Sequence, residues 1–139
     1  MAESSQPLLM LVSGEERNHE ALGGPFEQHG WRVHHSRSFA DFATASEDGP
    51  AVVVTDYALP DGSWTKVLTH ARDHAPASEV VVYSRLADEH LWAEVMCLGG
   101  FDVLSDPSDE RELLRVTNAA WCESRIRNEM LGSAGLADS

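Results

Sequence analysis

Five short apolar runs, spaced by segments of helical length, constrain this chain more than any other feature. Residues 8–12 (LLMLV), 51–55 (AVVVT) and 80–83 (VVVY) are continuous, while 31–35 (WRVHH) alternates and 101–104 (FDVL) is a short fifth. An unbroken apolar run of strand length marks a strand covered on both faces. Between the runs, Ser38 can cap a helix through Ser46, and Asp61-Gly62-Ser63 precedes a helix reaching about Ala75. The stretch 87–98 places Leu91, Val95 and Leu98 at i, i+4 and i+7 and ends at Gly99-Gly100. Ser108, after Pro107, can cap a long last helix to about Met130. The first helix is the poor one. Gly23-Gly24-Pro25 lies in its middle, and an interior proline costs about 3 kcal/mol, so this helix is predicted to be broken or to start late. Residues 1–6 read as a frayed start and 131–139 as a tail or linker, around one domain at 7–130.

Strand and helix in strict alternation imply an α/β fold: a doubly wound parallel sheet between two helical layers. Ligands of such sheets sit at the carboxyl ends of the strands. Those ends carry Ser13-Gly14-Glu15-Glu16, Asp56, Ser84-Arg85 and Ser105-Asp106-Pro107.

Composition removes several classes of function. Ten Lys and Arg against 23 Asp and Glu give a net charge of -13, which repels nucleic-acid phosphates. No stretch approaches the roughly 20 apolar residues of a membrane span, so no membrane partner and a cytoplasmic location are expected. Cys97 and Cys122 have no metal-like spacing, and His70 and His74, four apart, lack a third ligand. No Gly-rich phosphate loop supports a nucleotide enzyme, and the chain is read as a non-enzyme.

The stretch 52–62, VVVTDYALPDG, places an Asp directly after a buried strand and then Leu59-Pro60. Ser84 ends the fourth strand, Gly99-Gly100 follow, and Asp102 and Leu104 lie in the fifth, before Pro107. In register, these residues resemble the receiver domain of bacterial two-component response regulators, over about residues 7–130. The resemblance implies a flavodoxin-like sheet in the order 2-1-3-4-5. It also implies Asp56 as phosphoacceptor, Ser84 as the hydroxyl beside it, and Pro107 at the family's cis Lys-Pro bond. Phosphoryl transfer to a carboxylate needs an exposed nucleophile, a divalent cation and a fixed positive charge.

The departures from the family pattern are serious. The family's acidic pair aligns with Ser13-Gly14, leaving Asp56 and perhaps neighbouring Glu15 to hold Mg2+, so binding is expected to be weak. The family's Lys is Asp106, its switch aromatic is Val103, and its Gly after Pro60 is Trp64. Arg85 is expected to replace part of the missing Lys by bridging Asp56 and Asp106. Trp92 and Met96 form a second stripe on their helix. They are read either as core or, with Val103, as part of a helix-4, strand-5, helix-5 face for homodimerisation or partner docking. The partners implied are a sensor histidine kinase or another signalling protein. Two functions stay open: an atypical receiver domain phosphorylated on Asp56, or a phosphorylation-independent pseudo-receiver acting as an interaction module.

Overall fold

The computed structural model describes residues 7–106 and 109–138, with side chains described as far as Gly132. Five strands, β1 (Leu8–Val12), β2 (Arg32–Ser36), β3 (Val52–Asp56), β4 (Glu79–Tyr83) and β5 (Asp102–Leu104), form one sheet in the order β2-β1-β3-β4-β5. Every pairing in it is parallel. The helices are α1 (Glu16–Gln28), α2 (Phe39–Ala45), α3 (Trp64–His74), α4 (Glu89–Leu98) and α5 (Glu110–Asp138). A separate antiparallel hairpin pairs Ala58–Leu59 with Gly62–Ser63 just before α3.

The period-two alternation of strand side chains divides the core between the two faces of the sheet. Leu9, Leu11, Val52, Val54 and Val81 face α1 and α5, meeting Leu22, Phe26, Leu113 and Val116. Met10, Val12, Val53, Val80 and Val82 face the other way, against Phe42 of α2, Trp64 and Val67 of α3, and Leu91 and Val95 of α4. Trp64, which replaces a glycine of the receiver pattern, is 2% exposed and fills this second core. The strand ends fall one residue from the sequence reading in places. Trp31 precedes β2 rather than opening it, and its buried ring meets Trp121 edge-on at 5.6 Å.

The first helix corrects the sequence expectation: α1 is continuous through Pro25. Leu22 and Phe26, on either side of the proline, are fully buried. Gly23 lets the helix sit close to β2, since a Cβ there would lie 2.9 Å from His35 Cε1. Pro25 removes one helical hydrogen bond, to the carbonyl of Ala21, an exposed residue where water is at hand. Packing of the buried face outweighs that loss.

The caps follow the sequence more closely. The Ser38 hydroxyl accepts from Asp41 N–H, and the Asp88 carboxylate accepts from Leu91 N–H at 2.9 Å. Gly99 ends α4 at φ 96°, and Arg72 of α3 donates to the Leu98 carbonyl at 2.5 Å. The last helix, α5, runs past Met130. Pro107 and Ser108 lie outside the described residues.

Candidate functional site

The carboxyl ends of β1, β3 and β4 meet at an open cleft of about 230 Å³, lined by Glu15, Asn18, Asp56, Tyr57, Ser84 and Arg85 among others. Asp56 is the last residue of β3 and only 8% exposed. Ser13 directly follows β1 and is held by its backbone N–H donating to the Ser36 carbonyl at 2.9 Å. Its hydroxyl donates to Asp56 Oδ2 at 2.5 Å. Asn18, in the first turns of α1 and 4% exposed, donates through Nδ2 to Asp56 Oδ1 at 3.2 Å and to Ser13 Oγ at 3.1 Å. Glu15 N–H also donates to Ser13 Oγ, at 3.1 Å. Both Asp56 oxygens are therefore engaged by neutral donors of the chain itself.

Burial pushes the Asp56 carboxyl above the ordinary carboxylate range. The Ser13 hydroxyl opposes this, the Glu15 charge adds to it, and the Gly14 backbone N–H and Asn18 amide pull the other way. The Glu15 side chain itself is half exposed and paired with Arg17 Nε at 2.7 Å.

These residues do not fit a magnesium cage. Mg2+ requires near-octahedral oxygen ligation, with one or two carboxylates as a rule. Here the Asp56 oxygens accept from Ser13 and Asn18, and Glu15 is engaged with Arg17. No cluster of three metal-ligating side chains occurs among the described residues. At Gly14, the second position of the family's acidic pair, a Cβ would lie 2.9 Å from Pro60 Cδ, so a carboxylate there would require Pro60 to shift.

Ser84 and Arg85 line the same cleft as Asp56. The Ser84 hydroxyl accepts from Leu86 N–H at 3.2 Å, fixing the turn after β4. Arg85 Nε donates to the Tyr83 hydroxyl at 3.2 Å, and the hydrogen bonds on Asp56 come from Ser13, Asn18 and Gly14 instead. Asp106 is exposed, and its carbonyl accepts from Asp109 N–H. Val103 is half-buried against the core formed with α2, α3 and α4. Trp92 is 50% exposed and Met96 41%, so neither is core.

Sequence reasoning missed Asn18. Nothing in the primary structure sets apart an Asn in a helix's first turns, and only the docking of α1 turns it toward β3. It also missed a contact beside the cleft. His19 Nδ1 and His35 Nδ1 are 2.7 Å apart, and His19 Nε2 is 2.9 Å from the Ser13 carbonyl.

Known structures share this architecture. The chain superimposes on the signal receiver domain of a Luxo repressor-type protein from Vibrio parahaemolyticus with a TM-score of 0.80, at 17% identity, covering 90% of this chain and 97% of that one. It matches a response regulator receiver domain from Clostridium thermocellum at 0.78, with 19% identity over 86% and 98% of the two chains. It matches a chain of the CheX-CheY-BeF3-Mg2+ complex from Borrelia burgdorferi at 0.77, with 13% identity over 87% and 94%. The fold is thus that of response regulator receiver domains. No protein-family model and no curated protein matches the sequence. No helix among the described residues is long and apolar enough to cross a membrane.

Proposed function

We propose that this chain is a two-component signalling module of receiver type that works as a phosphorylation-independent interaction domain. The observation that carries this reading is the Ser13–Asp56–Asn18 clamp. A phosphoryl acceptor must present a free carboxylate oxygen to the incoming phosphorus, with a cation gathering the equatorial charge. Here both oxygens accept hydrogen bonds and burial disfavours the charged, nucleophilic form. The module binds other proteins, such as a sensor histidine kinase or another signalling protein, rather than catalysing a reaction. Its surface for this is α4, β5 and α5, where Trp92 and Met96 stand exposed.

A second reading, slow phosphorylation of Asp56, is favoured by one feature: Ser84 and Arg85 share the cleft with the carboxylate. In that case Arg85 would leave Tyr83 and turn toward the phosphoryl group or Asp106. Intact mass after incubation with a small phosphodonor and Mg2+ separates the two. The expected outcome is little or no gain of a phosphoryl group, and Mg2+ binding too weak to detect at submillimolar concentration. Rapid, stoichiometric modification that Asp56→Asn abolishes would establish the second reading.

A further inference from the structure

In the His19–His35 contact the tautomers of both rings follow from geometry. A carbonyl only accepts, so His19 Nε2 carries the proton donated to Ser13 O at 2.9 Å. Neutral His19 then has a bare Nδ1, and the 2.7 Å contact requires His35 to donate from its own Nδ1. The pair can take up one proton and keep the contact, as an imidazolium donating to an imidazole, which is a strengthened hydrogen bond. It cannot take up two. Both Nδ1 atoms would then carry hydrogen and point at each other across 2.7 Å.

The surroundings give no room to absorb that clash in place. His19 is 4% exposed, and the His35 ring edge lies against Gly23 of α1. The charged groups facing His35 are Arg37, just after β2, and Glu16 and Glu27 on α1. Arg37 and Glu16 already bind each other in a two-pronged ion pair. Asn18, which clamps Asp56, is the residue before His19 on the same helix turn.

We propose that His19 and His35 form a one-proton binding site, and that entry of a second proton expels His35 and loosens the first turns of α1, releasing Asp56 from Asn18. The linkage is direct. His19 is bonded to the Ser13 carbonyl, Ser13 to Asp56, and Asn18 to both Ser13 and Asp56. Acidification from about pH 8 through the histidine range and below its lower edge of about 5 would open the cleft. The depressed proton affinity of His35, caused first by burial and then by the His19 and Arg37 charges, agrees with late entry of that proton. The inference concerns access to Asp56 and holds whether or not Asp56 is ever phosphorylated.

The test follows the histidine ring nitrogens and the Asn18 side-chain amide by ¹H–¹⁵N NMR across that pH range, in wild type and in His35→Asn. The Asn side chain can offer either a donor or an acceptor where His35 Nδ1 stood, and it takes no second proton. In the wild type the two rings should titrate in two separated steps, with Asn18 Nδ2–H exchange with solvent rising at least tenfold in the second. In His35→Asn the Asn18 amide should stay protected throughout. Core amide signals of β3 and β4 should persist in both proteins, distinguishing local opening from unfolding. The proposal is overturned if the rings titrate as independent sites. It is also overturned if Asn18 stays protected in the wild type, if both proteins lose protection alike, or if the core signals vanish with that of Asn18.

Discussion

At the scale of single residues, the cleft has exchanged charge for hydrogen bonds. Ser13 and Asn18 hold Asp56 where an acidic pair would share a cation with it. Gly14 lies too close to Pro60 for a side chain to be restored without a shift. The clamp makes Asp56 replaceable by its own amide. In Asp56→Asn the oxygen can still accept from Asn18, and the new NH2 can donate to Ser13 Oγ. Asp56→Ala instead leaves buried donors unpaired, at about 1–3 kcal/mol. The folded pKa of Asp56 is raised, so the stability this group contributes is complete below its unfolded value of about 4 and is lost as pH rises through the folded value. Urea unfolding should therefore find Asp56→Asn more stable than wild type at neutral pH, where the buried carboxylate has lost its proton. The gap should close near pH 4, and the Ala variant should be the least stable at neutral pH. Equal stability of all three at neutral pH would mean that the clamp carries no net energy.

At the scale of elements, α5 is fastened to the sheet by an ion pair that patterning alone does not reveal. Glu79 opens β4, and its side chain is 4% exposed; Arg127 Nη2 lies 3.1 Å from Oε2. The alignment falls short of a hydrogen bond, so the contact is Coulombic. Burial raises the Glu79 carboxyl, and the Arg127 charge partly offsets this. Arg127→Ala should cost about 1–3 kcal/mol at neutral pH by stranding a buried carboxylate. The loss should shrink in acid, where Glu79 takes up a proton; thermal melts at two pH values check it. The strands were legible because LLMLV and VVVY are apolar on both faces, which only a covered parallel sheet satisfies. Pro25 misled because propensity is local, whereas burial of Leu22 and Phe26 depends on the tertiary fit of Gly23 to His35. Asp56 was legible for the same reason as the strands: it ends one. Its partners were not, because Asn18 reaches it only through the way α1 docks on the sheet.

At the scale of the whole molecule, charge decides where a partner can land. The net charge of -13 opposes self-association almost everywhere on the surface. The length of α5 from Glu110 to Glu129 is an exception. There Arg111, Arg115, Arg125 and Arg127 balance Glu110, Glu112, Glu123 and Glu129. This electroneutral helix and the C-terminal end of α4 line one groove beside β5, with Met96, Phe101 and Ala119 among its residues. Ile126 and Met130 extend the exposed apolar atoms along α5. With Val103 in place of a ring that could swing between core and surface, docking at this face has no aromatic gate and is expected to be constitutive. Trp92, at 50% exposure, is the large aromatic closest to an interface hot spot in kind. Being exposed, it should contribute little to folding, so Trp92→Ala should change unfolding stability by no more than about 0.5 kcal/mol. In sedimentation over a range of concentrations, wild type should associate more strongly than Trp92→Ala. Association of the wild type should strengthen as added salt screens the long-range repulsion between two acidic copies. Monomers of both proteins at every concentration and salt would remove self-association from this face. Weakening of wild-type association by salt would instead mean that ion pairs, and not the apolar atoms around Trp92, hold the two copies together.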